Sequence, residues 1–173
     1  MNIIIIGMKG VGKTTIGHAL AEICSMKFID LDQLIEQKHQ KLTSEKLSCR
    51  EIYMKEGQNY FEVLESESLL SIQATSTVLS TGGGTPLGQE NQKTLKSLGT
   101  IVYLDEAFDI LAERILAKGV PAYIKDKTNP REELRKRYER RVKVYKQIAD
   151  YTITCNGRTP SEIVNDIIKV LDL

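Results

Sequence analysis

The chain has 173 residues, with 24 basic and 23 acidic side chains and a net charge of +1. This length predicts a single domain, residues 1–173, and the balanced charge favours neither a nucleic-acid surface nor a membrane surface. The apolar run "NIIII" is too short for a signal peptide or a membrane span. The three cysteines lack metal-site spacing, which indicates reduced thiols in a cytoplasmic protein.

Short apolar runs alternate with amphipathic segments along the whole chain. This alternation predicts a parallel sheet with helices on both faces. The expected strands are Asn2–Ile6, Lys27–Asp30, Thr77–Thr81, Thr100–Leu104 and Tyr151–Thr154. The expected helices lie near residues 13–25, 31–41, 50–73, 89–98, 106–117, 130–149 and 160–171. Asn129 and Thr159, each followed by proline and then by an acid three residues after the cap, predict where the last two helices begin.

The first strand runs into "GMKGVGKT", which fits the phosphate-loop pattern G-x-x-x-x-G-K-[ST] at every fixed position. Its glycines allow backbone N–H groups to face phosphate oxygens at the N-terminus of a helix. Lys13 is expected to reach the β- and γ-phosphates of ATP, and the Thr14 hydroxyl is expected to bind Mg²⁺. The predicted nucleotide-binding residues are Gly10, Val11, Gly12, Lys13, Thr14 and Thr15.

The second strand ends in "FIDLD", which places Asp30 and Asp32 on the same side of an extended chain. One carboxylate could hold the water shell of the metal, and the other could accept a hydrogen bond from the hydroxyl to be phosphorylated. Alternatively, Asp32 caps the helix that follows.

The third strand ends in "STGGGTP". Three successive glycines lose much conformational entropy on folding, so Gly82, Gly83 and Gly84 indicate either a bulge or a close approach of the backbone to a ligand. Ligands of open parallel sheets bind beyond the carboxyl ends of the strands. The phosphate loop, the acidic pair and the glycine turn are therefore expected to form one site.

On the predicted helix 130–149, Arg141 lies in the apolar stripe formed by Leu134, Tyr138, Tyr145 and Ile148. An inward-facing guanidinium needs an anion, because an unpaired buried charge is destabilising. A substrate carboxylate or phosphate would fit; the alternatives are a snorkelling side chain or a pair with Asp150. Most of the other basic side chains of this helix are expected to form a solvated face; these side chains are Arg131, Arg135, Lys136, Arg137, Arg140, Lys143 and Lys146.

Together the phosphate loop, the Asp-x-Asp strand end, the glycine turn and the late "R-x-x-x-Y…A-D" pattern resemble the shikimate kinase family over essentially the whole chain. The resemblance implies a doubly wound α/β fold of the nucleoside-monophosphate-kinase type, with five parallel strands in order 2-3-1-4-5. It implies transfer of the γ-phosphoryl group of ATP, with Mg²⁺, to a ring hydroxyl of shikimate, a small-molecule acceptor. A monomer is expected.

The resemblance also implies roles for individual residues. Lys13, Asp32 and Arg141 are the expected catalytic residues, Thr14 and Asp30 the expected metal-binding residues, and Arg114 is placed with the nucleotide. Acceptor binding is expected from Asp32, Glu62, Gly82, Gly83, Gly84 and Arg141.

Two positions depart from the family pattern. Glu62 stands where the family has an acceptor-binding arginine, and Val120 stands where the family has a lid arginine. A glutamate there would repel a carboxylate, whereas Arg114, Lys118, Lys125 or Lys127 could replace the lid cation. Three interpretations therefore stay open. They are a divergent shikimate kinase, a kinase for a different small hydroxylated acceptor, and a non-catalytic nucleotide-binding module. For the second, Glu62 and Glu65, one helical turn apart, would suit an acceptor with an ammonium group or several hydroxyls.

The segment Lys118–Thr128 has neither helical nor strand periodicity and lies between two helices. We therefore predict a mobile lid over residues 118–128.

Overall fold

The computed structural model describes residues 1–121, 123–124 and 128–173. The strands are β1 (Asn2–Ile6), β2 (Lys27–Asp30), β3 (Thr77–Ser80), β4 (Thr100–Asp105) and β5 (Tyr151–Thr154). The helices are α1 (Lys13–Ile23), α2 (Leu31–Thr43), α3 (Cys49–Glu56), α4 (Gln58–Leu70), α5 (Gln89–Leu98), α6 (Phe108–Leu116), α7 (Pro130–Ile148) and α8 (Pro160–Leu171). A single 3₁₀ turn spans Thr85–Leu87.

The five strands form one parallel sheet in the order β2-β3-β1-β4-β5, as predicted. The central strand β1 is apolar on both faces, and Ile3–Ile6 are fully buried between helical layers. Because all strands point the same way, the ends of β1, β2 and β3 lie at one edge of the sheet. The phosphate loop, the acidic pair and the glycine turn therefore meet there.

The predicted helix near 50–73 is wrong as one element, because the chain forms α3 and α4 in its place. Gly57 separates them with φ 86° and ψ 175°, a conformation that is essentially restricted to glycine. Ser48 and Glu51 form a capping box that begins α3. The break lets α4 take its own direction, and α4 carries Glu65 towards the sheet edge.

The predicted helix starts at Asn129 and Thr159 are confirmed. Each side chain accepts a hydrogen bond from the backbone N–H three residues later, and proline occupies the first helical position. The remaining differences are shifts of one to a few residues at element ends. Within the described part of the chain, no helix is both long enough and apolar enough to cross a membrane.

Candidate active site

The phosphate loop connects β1 to α1 and turns on glycines in the left-handed region. Gly7, Gly10 and Gly12 have φ values of 147°, 85° and 103°. A Cβ at Gly7 would lie 2.8 Å from the carbonyl oxygen of Leu104, so the loop also needs glycine there for space. The loop ends at the N-terminus of α1, where backbone N–H groups and the helix dipole favour an anion.

Lys13 folds back into this loop. Its Nζ donates to the carbonyls of Gly7 (2.9 Å) and Met8 (3.0 Å), and only 9% of the residue is exposed. Burial lowers the pKa of Lys13 to about 8, while the negative charge of Asp32 acts in the opposite direction. The ammonium is held by weak neutral acceptors that a phosphate oxygen can replace.

The acidic pair divides into two environments. Asp30 caps α2, because its Oδ1 accepts from the backbone N–H of Asp32 at 3.0 Å, and its Oδ2 accepts from the Thr14 hydroxyl at 2.9 Å. The alternative that Asp32 caps the helix is therefore wrong. The Asp32 carboxyl retains solvent contact, but the protein around it raises its pKa, and the negative charge of Asp30 raises it further.

The glycine turn, Gly82–Gly84, lies between a wall of carboxylates on one side and the guanidinium of Arg141 on the other. A Cβ at Gly82 would be 3.0 Å from Glu65 Oε1 and 3.3 Å from Asp32 Oδ1, and a Cβ at Gly83 would be 3.2 Å from Arg141 Nη1. The Tyr145 hydroxyl donates to the carbonyl of Gly83 at 2.5 Å. The glycines therefore allow a carboxylate wall and a guanidinium to approach the same turn.

Glu65 and Thr85 also contribute to this wall; Glu65 was considered only for an alternative acceptor, and Thr85 was not predicted as a site residue. Glu65 is 6% exposed and accepts from the Thr85 hydroxyl at 2.6 Å. Burial raises the pKa of Glu65 to about 7, against the opposing hydrogen bond from Thr85. The sequence offered a signal, since Thr85 directly follows the glycines and Glu65 lies one helical turn after Glu62.

Arg141 projects from α7 towards the glycine turn and is half-buried. The alternative of a pair with Asp150 is wrong, because Asp150 Oδ2 instead accepts from the backbone N–H of Ile101 at 2.8 Å. The positive charge of Arg141 also lowers the pKa of Lys13, so both cations act on the same region.

Arg114 lies beside the phosphate loop. Its Nη1 donates to the carbonyl of Gly10 at 3.3 Å and is 3.4 Å from Oε2 of the buried Glu106. This placement is on the nucleotide side of the site. Of the other three named replacements for a lid cation, Lys118 is exposed just after α6, whereas Lys125 and Lys127 lie outside the described residues.

The two departures from the family pattern lie on the side of α3, α4 and the lid. Glu62 is exposed on α4 and accepts from Gln58 Nε2, on its own helix, at 2.8 Å. The carbonyl of Val120 accepts from Arg50 Nη2 at 3.4 Å, which joins the start of the expected lid to α3. Residues 122 and 125–127 of that lid lie outside the described part of the structure.

A phosphate loop at the edge of a five-stranded parallel sheet in order 2-3-1-4-5, with an acidic strand end beside it, defines a P-loop kinase. The family model described as shikimate kinase matches residues 9–172. The chain belongs to the shikimate kinase family.

Individual relatives agree with this membership over nearly the whole chain. A shikimate kinase of Persephonella marina is 33% identical over 168 residues, which cover 96% of each chain. A shikimate kinase of Trichormus variabilis is 37% identical over 173 residues, covering 99% of this chain and 91% of the relative.

Among solved structures, the shikimate kinase of Acinetobacter baumannii in complex with shikimate matches with a TM-score of 0.88. It is 30% identical, and the match covers 98% of this chain and 92% of that one. The shikimate kinase of Aquifex aeolicus matches with a TM-score of 0.77 at 31% identity, covering 99% of this chain and 96% of that one. The chain is thus a phosphotransferase of the class that acts on alcohols.

Proposed function

We propose that this protein transfers the γ-phosphoryl group of ATP to a ring hydroxyl of shikimate, giving shikimate 3-phosphate. The observation that carries the proposal is the meeting of Lys13, Asp32 and Arg141 around one glycine turn. A phosphate-binding cation, a hydroxyl-binding carboxylate and an anion-binding guanidinium are what a kinase needs for an acceptor with hydroxyls and a carboxylate. Membership of the shikimate kinase family supports the same acceptor.

On the nucleotide side, Gly10, Val11, Gly12 and Thr15 surround the β-phosphate with backbone N–H groups and a hydroxyl. Lys13 leaves the carbonyls of Gly7 and Met8 for the transferred phosphate, and Arg114 flanks the loop at Gly10. Neutralising the charge of that phosphate lowers the barrier to transfer.

The residues present suit Mg²⁺. Thr14 Oγ1 and Asp30 Oδ2 lie 2.9 Å apart at the start of α1, and oxygen donors of this kind are the ligands that Mg²⁺ prefers. We propose that these two side chains would hold the metal. When bound, Mg²⁺ supplies charge neutralisation at the phosphates.

On the acceptor side, Asp32 binds the hydroxyl to be phosphorylated and accepts its proton. Its raised pKa makes it a stronger base than an ordinary aspartate. Gly82, Gly83 and Gly84 line the pocket, and Arg141 binds the acceptor's anionic group. All these residues come from one chain, which supports a monomer, and the free thiols of Cys24, Cys49 and Cys155 support a cytoplasmic setting.

The test is a coupled ADP-release assay with ATP and Mg²⁺ across shikimate, quinate, amino-polyols and amino-sugars. We expect shikimate to give the highest kcat/KM, and we expect Lys13→Ala to lower kcat with shikimate by more than about tenfold. Turnover of an amine-bearing acceptor in preference to shikimate would contradict the proposed acceptor. If no acceptor leads to release of ADP, the remaining interpretation is a non-catalytic nucleotide-binding module.

Glu62 separates the shikimate proposal from an amine-bearing acceptor. The carboxylate of Glu62 accepts a hydrogen bond from Gln58 on the same helix. This local partner supports a glutamate that does not bind the acceptor, so that a carboxylate-bearing acceptor is tolerated. We therefore expect Glu62→Arg to leave the KM for shikimate unchanged or to lower it, whereas Glu22→Arg, exposed at the end of α1, changes nothing. If Glu62 instead binds an ammonium group, Glu62→Arg should weaken that acceptor by about 2–5 kcal/mol.

A further inference from the structure

One basic residue of α7 does not belong to its solvated face. Arg137 is half-buried and lies one helical turn before Arg141, on the same side of the helix. The other basic residues predicted for the solvated face are exposed, as expected; they are Arg131, Arg135, Lys136, Arg140, Lys143 and Lys146. Arg137 is therefore the exception among these seven residues, most of which were predicted to be solvated.

Tyr123, three residues after Val120, brings Arg137 and Arg141 together. Its ring centroid lies 4.7 Å from the guanidinium carbon of Arg137 and 5.9 Å from that of Arg141. Arg137 Nη2 donates to the carbonyl of Tyr123 at 2.9 Å. Tyr123 in the lid segment therefore contacts Arg137 and also Arg141, and Arg141 lies against the glycine turn.

Among the described residues, neither guanidinium is held in an ion pair, although the positive charge of Arg141 acts to lower the pKa of Glu65. Within residues 1–121, 123–124 and 128–173, no carboxylate forms an ion pair with Arg137 or Arg141, and the buried Nε of Arg137 has no hydrogen-bond partner. Two neighbouring guanidinium groups repel one another, and a buried donor without a partner is destabilising. An anion bound between them would relieve both penalties.

The polarity of the site indicates which anion binds. Asp32 and Glu65 form the opposite wall across Gly82, where they suit hydroxyl groups and repel a carboxylate. The phosphate loop already supplies Lys13 and the N-terminus of α1 to the phosphates. The planar forks of two arginines match the geometry of a carboxylate.

We propose that Arg137 is a specificity-determining residue that, with Arg141, binds the carboxylate of the acceptor and supplies the positive charge that Glu62 and Val120 do not. Arg137 uses one of its five N–H donors on Tyr123 and keeps the others for the acceptor. This inference rests on the proposed function, because it needs an acceptor with a carboxylate.

The experiment compares shikimate with its neutral methyl ester in the ADP-release assay. Arg137→Met keeps an apolar stem of similar length, and Arg140→Met is the matched control on the exposed face of α7. We expect Arg137→Met to raise the KM for shikimate at least about tenfold, a change of about 1.4 kcal/mol. The KM values for ATP and for the methyl ester should stay unchanged, and Arg140→Met should alter none of them. Arg137→Lys keeps the charge and should fall between the wild type and Arg137→Met.

Equal losses with shikimate and the methyl ester, in Arg137→Met and Arg137→Lys alike, would mean that Arg137 only packs the lid, which would overturn the inference. An unchanged KM for shikimate in Arg137→Met would overturn it too. Both results presuppose a wild-type enzyme that phosphorylates shikimate. A wild type that phosphorylates no carboxylate-bearing acceptor would instead refute the proposed function, and this inference with it.

Discussion

Asp32 and Asp30 show how neighbouring residues of one type acquire different chemistry. Asp30 accepts from the backbone N–H of Asp32 and from Thr14, so its carboxylate is fully engaged at the start of two helices. Asp32 has a pKa raised by the protein around it and by the charge of Asp30. The proposed division of roles follows, with Asp30 near the metal and Asp32 at the acceptor hydroxyl.

Asp32→Asn should therefore lower kcat by about 10²–10⁴, because the amide cannot accept the hydroxyl proton. The dissociation constant of ATP should change by less than about threefold. Steady-state kinetics and equilibrium binding of ATP measure the two quantities, with Asp172→Asn near the C-terminus as the control. A collapse of ATP binding with kcat largely kept would mean that the roles of Asp30 and Asp32 are exchanged.

Glu65 makes the stability of the free protein depend on pH. Its pKa is raised from 4.5 to about 7, so the folded state binds a proton more tightly than the unfolded state does. This contribution to stability is complete below about pH 4.5 and is lost as the pH rises through about 7. The full loss is on the order of 3 kcal/mol.

The free energy of unfolding, measured with urea, should therefore fall as the pH rises from 5 to 8. The fall should be smaller in Glu65→Gln than in the wild type. Glu113→Gln, exposed on α6, is the control and should leave the slope unchanged. Asp32 also has a raised pKa, so part of the slope should persist in Glu65→Gln. A slope that is identical in the wild type and Glu65→Gln would contradict the buried titration of Glu65.

At the scale of elements, the junction between α3 and α4 determines where Glu65 lies. The hydrophobic pattern continues through residues 50–73 and predicts one helix, but Gly57 breaks it with a conformation that other residues rarely adopt. Within the described part of the chain, no heavy atom beyond the adjacent residues lies within 4 Å of the position of a Cβ at Gly57. A side chain there would therefore strain the backbone without a steric clash.

Gly57→Ala should lower the free energy of unfolding by about 1–3 kcal/mol, because this backbone conformation is strained for alanine but not for glycine. Asn59→Ala, exposed in the first turn of α4, is the control and should stay within about 0.5 kcal/mol of the wild type. Urea unfolding followed by circular dichroism measures both. Equal stabilities of the two variants would show that residue 57 tolerates another backbone conformation.

At the scale of the whole molecule, contacts across the acceptor site connect the lid segment to two helices. Arg50 on α3 donates to the carbonyl of Val120, and Arg137 on α7 donates to that of Tyr123. The described part of this segment is thus fastened to α3 and α7. Enclosure of a kinase site protects ATP from hydrolysis. We propose that residues 118–128 form a lid.

Hydrogen exchange should therefore slow in residues 118–128 when a non-hydrolysable ATP analogue and shikimate bind together, and less with either ligand alone. The control peptide is α8, which packs on α1 away from the glycine turn. If the rate of hydrogen exchange in this segment is the same with and without the two ligands, the closing lid is refuted.

The sequence by itself determined the sheet, the phosphate loop and the convergence of three strand ends. Each depends on local pattern: apolar strands that alternate with helices, glycines at fixed spacing, and caps at helix starts. The tertiary structure alone decided that Thr85 meets Glu65 in the acidic wall and that Arg137 contacts Tyr123. These features depend on contacts between residues far apart in the chain, such as Glu65 with Thr85 and Arg137 with Tyr123. Neither periodicity nor spacing specifies which distant side chains meet, because that depends on how the helices pack on the sheet.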